Sequence, residues 1–478
     1  MNKRSPQHLK LEALKKIDRL LAIYPDLIEE RYQRACVLEE LGRPEEAKTE
    51  FLEVLKRAPT HFGTLIRFGN LLYAKGLVAD ALILYREAVK RHPSNPVGYV
   101  NLANVQAQNN EPEQARLNFE AALRIDPDYW AANRGMAYLL TDSRDEQIAK
   151  RYRDKAFGQN PLLHWPSTGE KSPVNLLMLV SAMGGLVRFR HHLDSRVFEV
   201  TELFVEYFDP SQPLPPHQKV VNAIGNADVA RSGLEIAVKL LEKTSAPVLN
   251  HPSRVLPTGR EEVLKKLGTI PGVITPRTSL VSREKLMSPQ VGGYLDELGF
   301  SFPFLLRSAG FQGGRHFIQV ENEEALQNQL PTLPGEELLA IQFLDARSPD
   351  GKIRKYRVMM IDGKLYPLHA AISRDWKIHF FSADMADNPE NREEDLRFLN
   401  QMPEVLGNPA MEALEKICSS LGLDYAGADF SLNAKGEILL FEANATMVVN
   451  PPETDPKWDY RRPAVQKILQ AIQQMFRK

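Results

Sequence analysis

The sequence predicts a multidomain protein: an all-α superhelix of repeated helix pairs, then an α/β layer, then an α+β domain with a polar site near its end. Three observations predict this. Pro25, Pro59, Pro93 and Pro127 recur every 34 residues. Short apolar runs alternate with an amphipathic helical pattern from Val174 to Asn250. Asp429, Glu442 and Asn444 flank a turn signal between two apolar runs. At 478 residues the chain is too long for a single core.

The repeat comes first. Each proline follows a helical pattern and ends it. Ala47, Ala81 and Ala115 stand twelve residues before the last three prolines, and Phe51, Tyr85 and Phe119 eight before. Gly42 and Gly76 stand seventeen before, with Asn110 in the matching place of the third repeat. Small residues let paired helices approach closely, aromatics fill the gap to the next pair, and Gly or Asn ends the first helix in left-handed geometry. A period of 34 with these positions resembles a tetratricopeptide repeat (TPR) array. Full repeats are expected at 28–61, 62–95 and 96–129, with a helix near 8–23 before them and helices near 130–141 and 144–157 after them. The resemblance implies a groove for a peptide or protein partner, lined by the first helix of each repeat. By register, Tyr32, Cys36, Ile66, Asn70, Tyr73, Val100, Asn104 and Gln108 face it. Asn70 and Asn104 hold equivalent positions, and their amides can grip a peptide backbone or simply be solvated on a spacer. The lysines of the carboxylate-clamping type of TPR are absent, since Tyr32, Ile66 and Val100 occupy those positions.

Residues 159–173 carry three prolines and no periodicity, and read as a linker after the helical domain of 1–158. From 174 to 255 follow strand-like runs at Val174–Val180, Arg196–Val205, Val220–Gly225 and Pro247–Asn250, with a helix from Ala227 to Lys243. Gly184 and Gly185 after the first run allow close backbone approach to a ligand.

The domain of 256–478 holds the chemistry. Phe302 to Phe317 combines a strand ending at Arg307 with a turn containing Gly310, Gly313 and Gly314. Flexible glycine backbone can fold over phosphates and offer its N–H groups. Lys355 and Arg357 share a strand face, followed by a hairpin turn at Asp362–Gly363. They contact ribose or phosphate, or form a solvated basic face. His369, Arg374, Lys377 and His379 cluster within eleven residues. Near the C-terminus, Asn433 to Gly436 is a hairpin turn. Residues i and i+2 of a strand share a face, so Glu442 and Asn444 project together and Asp429 faces them from the partner strand. Few hard oxygen ligands, with room for phosphate oxygens, suit Mg²⁺ bound with a nucleotide.

In this order the motifs resemble the ATP-grasp superfamily, nearest in pattern to carboxylate–amine ligases such as D-alanine–D-alanine ligase. The resemblance covers roughly 174–475. It implies a pre-ATP-grasp α/β layer followed by the ATP-grasp fold, with ATP and two magnesium ions on Asp429, Glu442 and Asn444. It further implies phosphate contacts from Arg307, where a lysine usually stands, and from Arg260 as the second basic residue on a helix upstream, and an adenine-reading segment at Gln342, Phe343 and Leu344. Arginine offers a planar fork where lysine is a point charge. In such ligases a carboxylate attacks the γ-phosphate and an amine then displaces phosphate from the acyl phosphate. Arg374 and Lys377 are candidates for holding the charged groups, and His369 or His379 for deprotonating the amine. Gly427 stands where the D-alanine ligases have an arginine, and Ala445 to Asn450 departs from their substrate loop. Dipeptide formation is therefore not implied.

Composition limits the rest. Net charge is −1, apolar content 43% and charged content 25%. No strong pull toward nucleic acid or anionic membrane follows. Cys36 and Cys418 are the only cysteines, and no apolar stretch is long enough for a membrane span. A cytoplasmic enzyme is expected, an ATP-dependent carbon–nitrogen ligase with a peptide held by the repeats and a possible homodimer. A phosphotransferase and a nucleotide-sensing scaffold are the alternatives.

Overall fold

The computed structural model describes residues 6–109, 111–140, 146–169, 172–308, 316–378, 380, 383–453 and 455–478. The chain forms two compact units: Met1–Asn175 with Ser195–Phe208, and Leu176–Asp194 with Asp209–Lys478.

The first unit is built on helix pairs. First helices of the repeats span Ile28–Glu40, Phe62–Ala74 and Pro96–Gln108, and second helices Pro44–Arg57, Val78–Arg91 and Pro112–Ile125. Each set starts at intervals of 34 residues. Helices Pro6–Ile23, Trp130–Leu139 and Glu146–Phe157 flank them. Ala47, Ala81 and Ala115 are fully buried, with Phe51, Tyr85 and Phe119 packed beside them. Burying each aromatic contributes about 2 kcal/mol. Gly42 and Gly76 have φ of 72° and 78° and end the first helices as expected; Asn110 lies outside the described residues. At Gly69 a Cβ would stand 2.5 Å from the Tyr85 ring, so only glycine allows that approach.

The stretch expected as a linker contains a strand, Leu162–Trp165, paired antiparallel with Phe198–Phe204. Phe204 stacks on Phe157 of the last helix at 4.0 Å, and Tyr207 donates to Asp154 at 2.9 Å. The prolines hid this short strand. The second strand, Phe198–Phe204, stands beside Val174–Val180 in one five-stranded sheet, as expected of the α/β layer.

The second unit begins with parallel strands Val174–Val180, Lys219–Asn222 and Val248–Leu249. An amphipathic helix, Arg231–Leu241, buries Leu234, Ala237 and Leu240. Next comes an antiparallel sheet in the order Thr278–Ser282, Glu337–Gln342, Phe304–Ser308, Phe317–Val320. The large sheet runs Lys364–Ser373, Ile353–Ile361, Tyr425–Leu432, Ile438–Asn444, Val273–Ile274. Asp362 and Gly363, both at positive φ, make the first hairpin turn. Gly436 at φ 77° closes the second, its N–H on the Asn433 carbonyl at 3.0 Å.

Asn250 fastens the parallel strands to the large sheet. It is buried at φ 51°. Its amide donates to the Tyr425 carbonyl at 2.9 Å and accepts from the Tyr425 N–H at 2.8 Å. Its own N–H reaches Asp424 at 2.7 Å, and its carbonyl accepts from Asn222 at 2.9 Å. The side chain thus pairs with Tyr425 as a strand backbone would.

Candidate functional site

The site is a row of ionisable side chains across the large sheet. His369 pairs with Arg357, Arg357 with Asp429, and Asp429 with Glu442. Directly opposed residues project to one face. Two irregularities create the row. The ladder slips by one residue after Arg357, so Arg357 opposes His369 and not Leu368. It slips again after Asp429, so Asp429 opposes Glu442 and not Phe441. Such bulges re-aim side chains. Lys355 and Asn444, two residues along their strands, join the same face.

Asp429 is buried and held by two cations. Arg357 binds it through both nitrogens of its fork, Nε to Oδ1 at 2.5 Å and NH2 to Oδ2 at 2.8 Å. Lys355 Nζ is 2.9 Å from Oδ2. Burial works against its ionisation, yet Arg357 and Lys355 outweigh this and hold the carboxyl well below the usual range. Burial likewise opposes the Arg357 charge, and Asp429 more than offsets it. Lys355 and Arg357 are thus bound to a carboxylate, where the sequence placed them on ribose or phosphate.

Glu442 is held through one oxygen. Oε1 accepts from Arg260 NH2 at 3.0 Å and from Asn444 Nδ2 at 2.8 Å. The Asn444 carbonyl oxygen accepts from the N–H and hydroxyl of Thr446, both at 2.9 Å. Arg260 opens the helix Arg260–Leu267, and Asp228 accepts from its backbone N–H. Asp228 is a contact that sequence reading missed, for no motif marks it. Arg307 lies at the end of its strand with its guanidinium over the Phe317 ring. Burial, then the charge of Arg260, push its pKa down to about 10, with Glu442 and Asp228 opposing. Arg260 thus stands at Glu442, with the charge of Arg307 near enough to be felt by both. Guanidiniums so placed suit an anion with several oxygens.

The open donors suit magnesium: the Glu442 carboxylate with the Asn444 amide beside it and Arg260 next to it, while both oxygens of Asp429 are already bonded to Arg357 and Lys355. Among the described residues no three His, Cys, Asp or Glu side chains cluster to hold a metal by themselves, which leaves phosphate oxygens and water to complete such a shell.

Other expected residues lie differently. His369 is buried, its ring 4.7 Å from that of Phe380. Burial, then Arg357 and Arg461, hold its pKa well below the ordinary value. Arg374 is exposed beyond the end of its strand, five residues from His369 and so roughly 16 Å along it. Lys377 is exposed and donates to the Phe317 carbonyl at 3.2 Å. Neither joins the row. His379, Gly310, Gly313 and Gly314 lie outside the described residues. The Gln342 N–H is committed to the Arg277 carbonyl at 2.8 Å. Phe343 and Leu344 follow, half-buried, in the extended connection to the next strand. A buried cluster that sequence reading missed joins Asp395 to the Ala370 N–H and the Tyr460 hydroxyl, each at 2.7 Å, with Arg461 at 3.7 Å. A cavity of about 350 Å³ lined by Arg354, Tyr356, Ala370 and Glu394 opens on the other face of the sheet.

In the helical unit, Asn70, Asn104 and Gln108 are exposed. Asn70 accepts from the Tyr85 hydroxyl at 2.7 Å, and Tyr73 donates to Gln108. Tyr32 is half-buried against His61, its pKa pushed up to about 12 by burial first. Cys36, Ile66 and Val100 are buried. These three belong to the core and not to a groove surface, because the helices pack more closely there than register alone indicated.

A tetratricopeptide repeat model matches residues 32–96 and a second matches 98–129. The helical array consists of tetratricopeptide repeats. The TPR repeat-containing thioredoxin of Arabidopsis thaliana is 34% identical over 84 residues, 18% of this chain and 12% of that protein. The match thus spans about an eighth of that relative. MamA (41-end) from Desulfovibrio magneticus RS-1 is 23% identical, covering 31% of this chain and 84% of that one with a TM-score of 0.28. A RimK domain protein ATP-grasp from Sphaerobacter thermophilus is 16% identical, covering 64% of this chain and all of that one, with a TM-score of 0.39. At these TM-scores the structural likenesses carry no argument. Outside the TPR array, the fold rests on the sheets and helices described above. Among the described residues no helix is long and apolar enough to cross a membrane.

Proposed function

We propose that the protein is an ATP-dependent carboxylate–amine ligase of the ATP-grasp type, acting on a peptide or protein that its TPR array holds. The observation that carries this reading is the juxtaposition of Asp429 and Glu442 in register, with Arg260 at Glu442 and the charge of Arg307 near enough to be felt by both. Paired carboxylates with nearby arginines match the needs of a metal-bound triphosphate. Glu442, with Asn444 beside it and Asp429 opposite, would hold magnesium, which supplies charge neutralisation at the transferred phosphate when bound. Arg260 and Arg307 would bind phosphate oxygens. Leu344 and its neighbours would border the base.

The reaction joins two substrates. A carboxylate oxygen bonds to the γ-phosphorus and ADP leaves; the amine nitrogen then bonds to the acyl carbon and phosphate leaves. Holding the peptide on the repeats raises its effective concentration at the site. Asn70, Asn104, Tyr73 and Gln108 are the side chains proposed to meet it.

The test is ATP consumption with Mg²⁺ and peptides encoded beside the gene, with mass spectrometry of the products. ADP, phosphate and a condensation mass shift are expected. A product heavier by one phosphate would make the protein a phosphotransferase instead. Glu442→Gln should abolish turnover while leaving the fold intact, since the glutamine oxygen can still accept from Arg260 and Asn444. Full turnover in that variant would refute the metal assignment.

A further inference from the structure

The two carboxylates of the site are not equivalent. Both oxygens of Asp429 are bonded, Oδ1 to Arg357 and Oδ2 to Arg357 and Lys355. Its side chain is 2% exposed, and a cation landing there would have to expel Lys355 and turn the Arg357 fork away. That would strand a guanidinium with no other carboxylate opposite it in the row, an unfavourable state for a poorly hydrated charge. Glu442 is different. It is held through Oε1 alone, at a half-buried position. Its cation, Arg260, reaches Glu442 through the single nitrogen NH2, so Arg260 can exchange Glu442 for a phosphate oxygen without losing a partner.

We propose that this site takes a single divalent ion, on Glu442, and that Lys355 with Arg357 fills the place on Asp429 that a second ion would take. The inference rests on the nucleotide-binding reading above and sharpens it. It also corrects the two ions that the family resemblance implies. Arg260 acquires a defined part as well: the divalent ion enters when phosphate draws Arg260 away. Nucleotide and metal therefore bind cooperatively, by a coupling that is equal in both directions.

The experiment counts bound Mn²⁺ on the full chain by electron paramagnetic resonance, with and without a non-hydrolysable ATP analogue. A fluorescent ATP derivative measures nucleotide binding separately. With the analogue, the wild type should bind one Mn²⁺ per chain. Without it, Mn²⁺ affinity should fall at least tenfold. Lys355→Met removes one of the two cations on Asp429 Oδ2 and leaves only the Arg357 fork to be turned away, so it should raise the count to two, while Lys355→Arg should keep it at one. Two ions in the wild type, or a Lys355→Met count that stays at one in a chain of unchanged circular dichroism, would overturn the proposal. Nucleotide binding with no Mn²⁺ at all would overturn it too and leave the nucleotide site standing. Absence of both would remove the nucleotide reading itself.

Discussion

Asp429→Asn removes the charge at the centre of the row and nearly preserves its shape. The wild-type carboxylate is 2% exposed, and Arg357 and Lys355 beside it are 19% and 20% exposed. Removing one member of a buried pair costs about 3–5 kcal/mol, because the other charge stays buried without compensation. The partly hydrated cations place this change near the lower end, about 3 kcal/mol. For a unit of this size that is a fall of roughly 5 °C in Tm. Differential scanning calorimetry is the assay, because two compact units can melt in separate transitions. The shift should fall on the transition of the second unit alone. The pH dependence adds a check. The depressed Asp429 pKa contributes stability that is present above the unfolded value, about 3.9, and is lost as pH falls toward the folded value. The gap between wild type and variant should therefore be constant above about pH 5 and narrow below about pH 4. A Tm shift under about 2 °C, or a gap that widens in acid, would refute the account of Asp429 as the buried counter-ion.

Asn70 and Asn104 should separate in their effects. Asn104→Ala should leave Tm unchanged, while Asn70→Ala strands the buried Tyr85 hydroxyl and should cost about 1 kcal/mol. Together they should weaken a peptide substrate without affecting ATP binding, and unchanged peptide affinity by calorimetric titration would sink the groove assignment. Gly69→Ala places a methyl against the Tyr85 ring and should destabilise the array by about 1–3 kcal/mol in urea unfolding, where a neutral result would mean the ring can move aside. Asp395 should act in the opposite sense to Asp429. Burial raises its pKa to about 6, against Arg461, the Ala370 N–H and Tyr460. Its contribution is therefore full below about pH 4 and lost as pH rises through about 6. The stability of wild type relative to Asp395→Asn should fall by up to about 3 kcal/mol across that interval; a flat difference would contradict the raised value.

The repeats were legible because their determinants recur. One alanine is ambiguous, but Ala47, Ala81 and Ala115 at a fixed period define where helices touch. The C-terminal hairpin was legible from its turn, since Asn433 to Gly436 fixes which runs pair. The row itself was only half legible. Symmetry about the turn sets Asp429 against Phe441, and the bulge that substitutes Glu442 leaves no mark in composition. The same holds for Arg357 and His369. Lys355 and Arg357 were recognised as important for sharing a face, but whether such cations meet phosphate or carboxylate depends on the neighbouring strand. The burial of His369 against Phe380 was not legible, because a histidine amid basic residues reads as exposed and the ring that covers it stands eleven residues on. Leu162–Trp165 was missed because four residues between prolines carry too little period to register.

Asn250 has a mechanical meaning. Its amide, N–H and carbonyl tie the parallel strands to the first residue of the Asp429 strand at several points. No single bond rotation releases all of them. A displacement of the parallel strands should therefore be passed directly to the strand that carries Asp429. A spin-label pair across Asn222 and Ser431 would hold its separation on nucleotide binding.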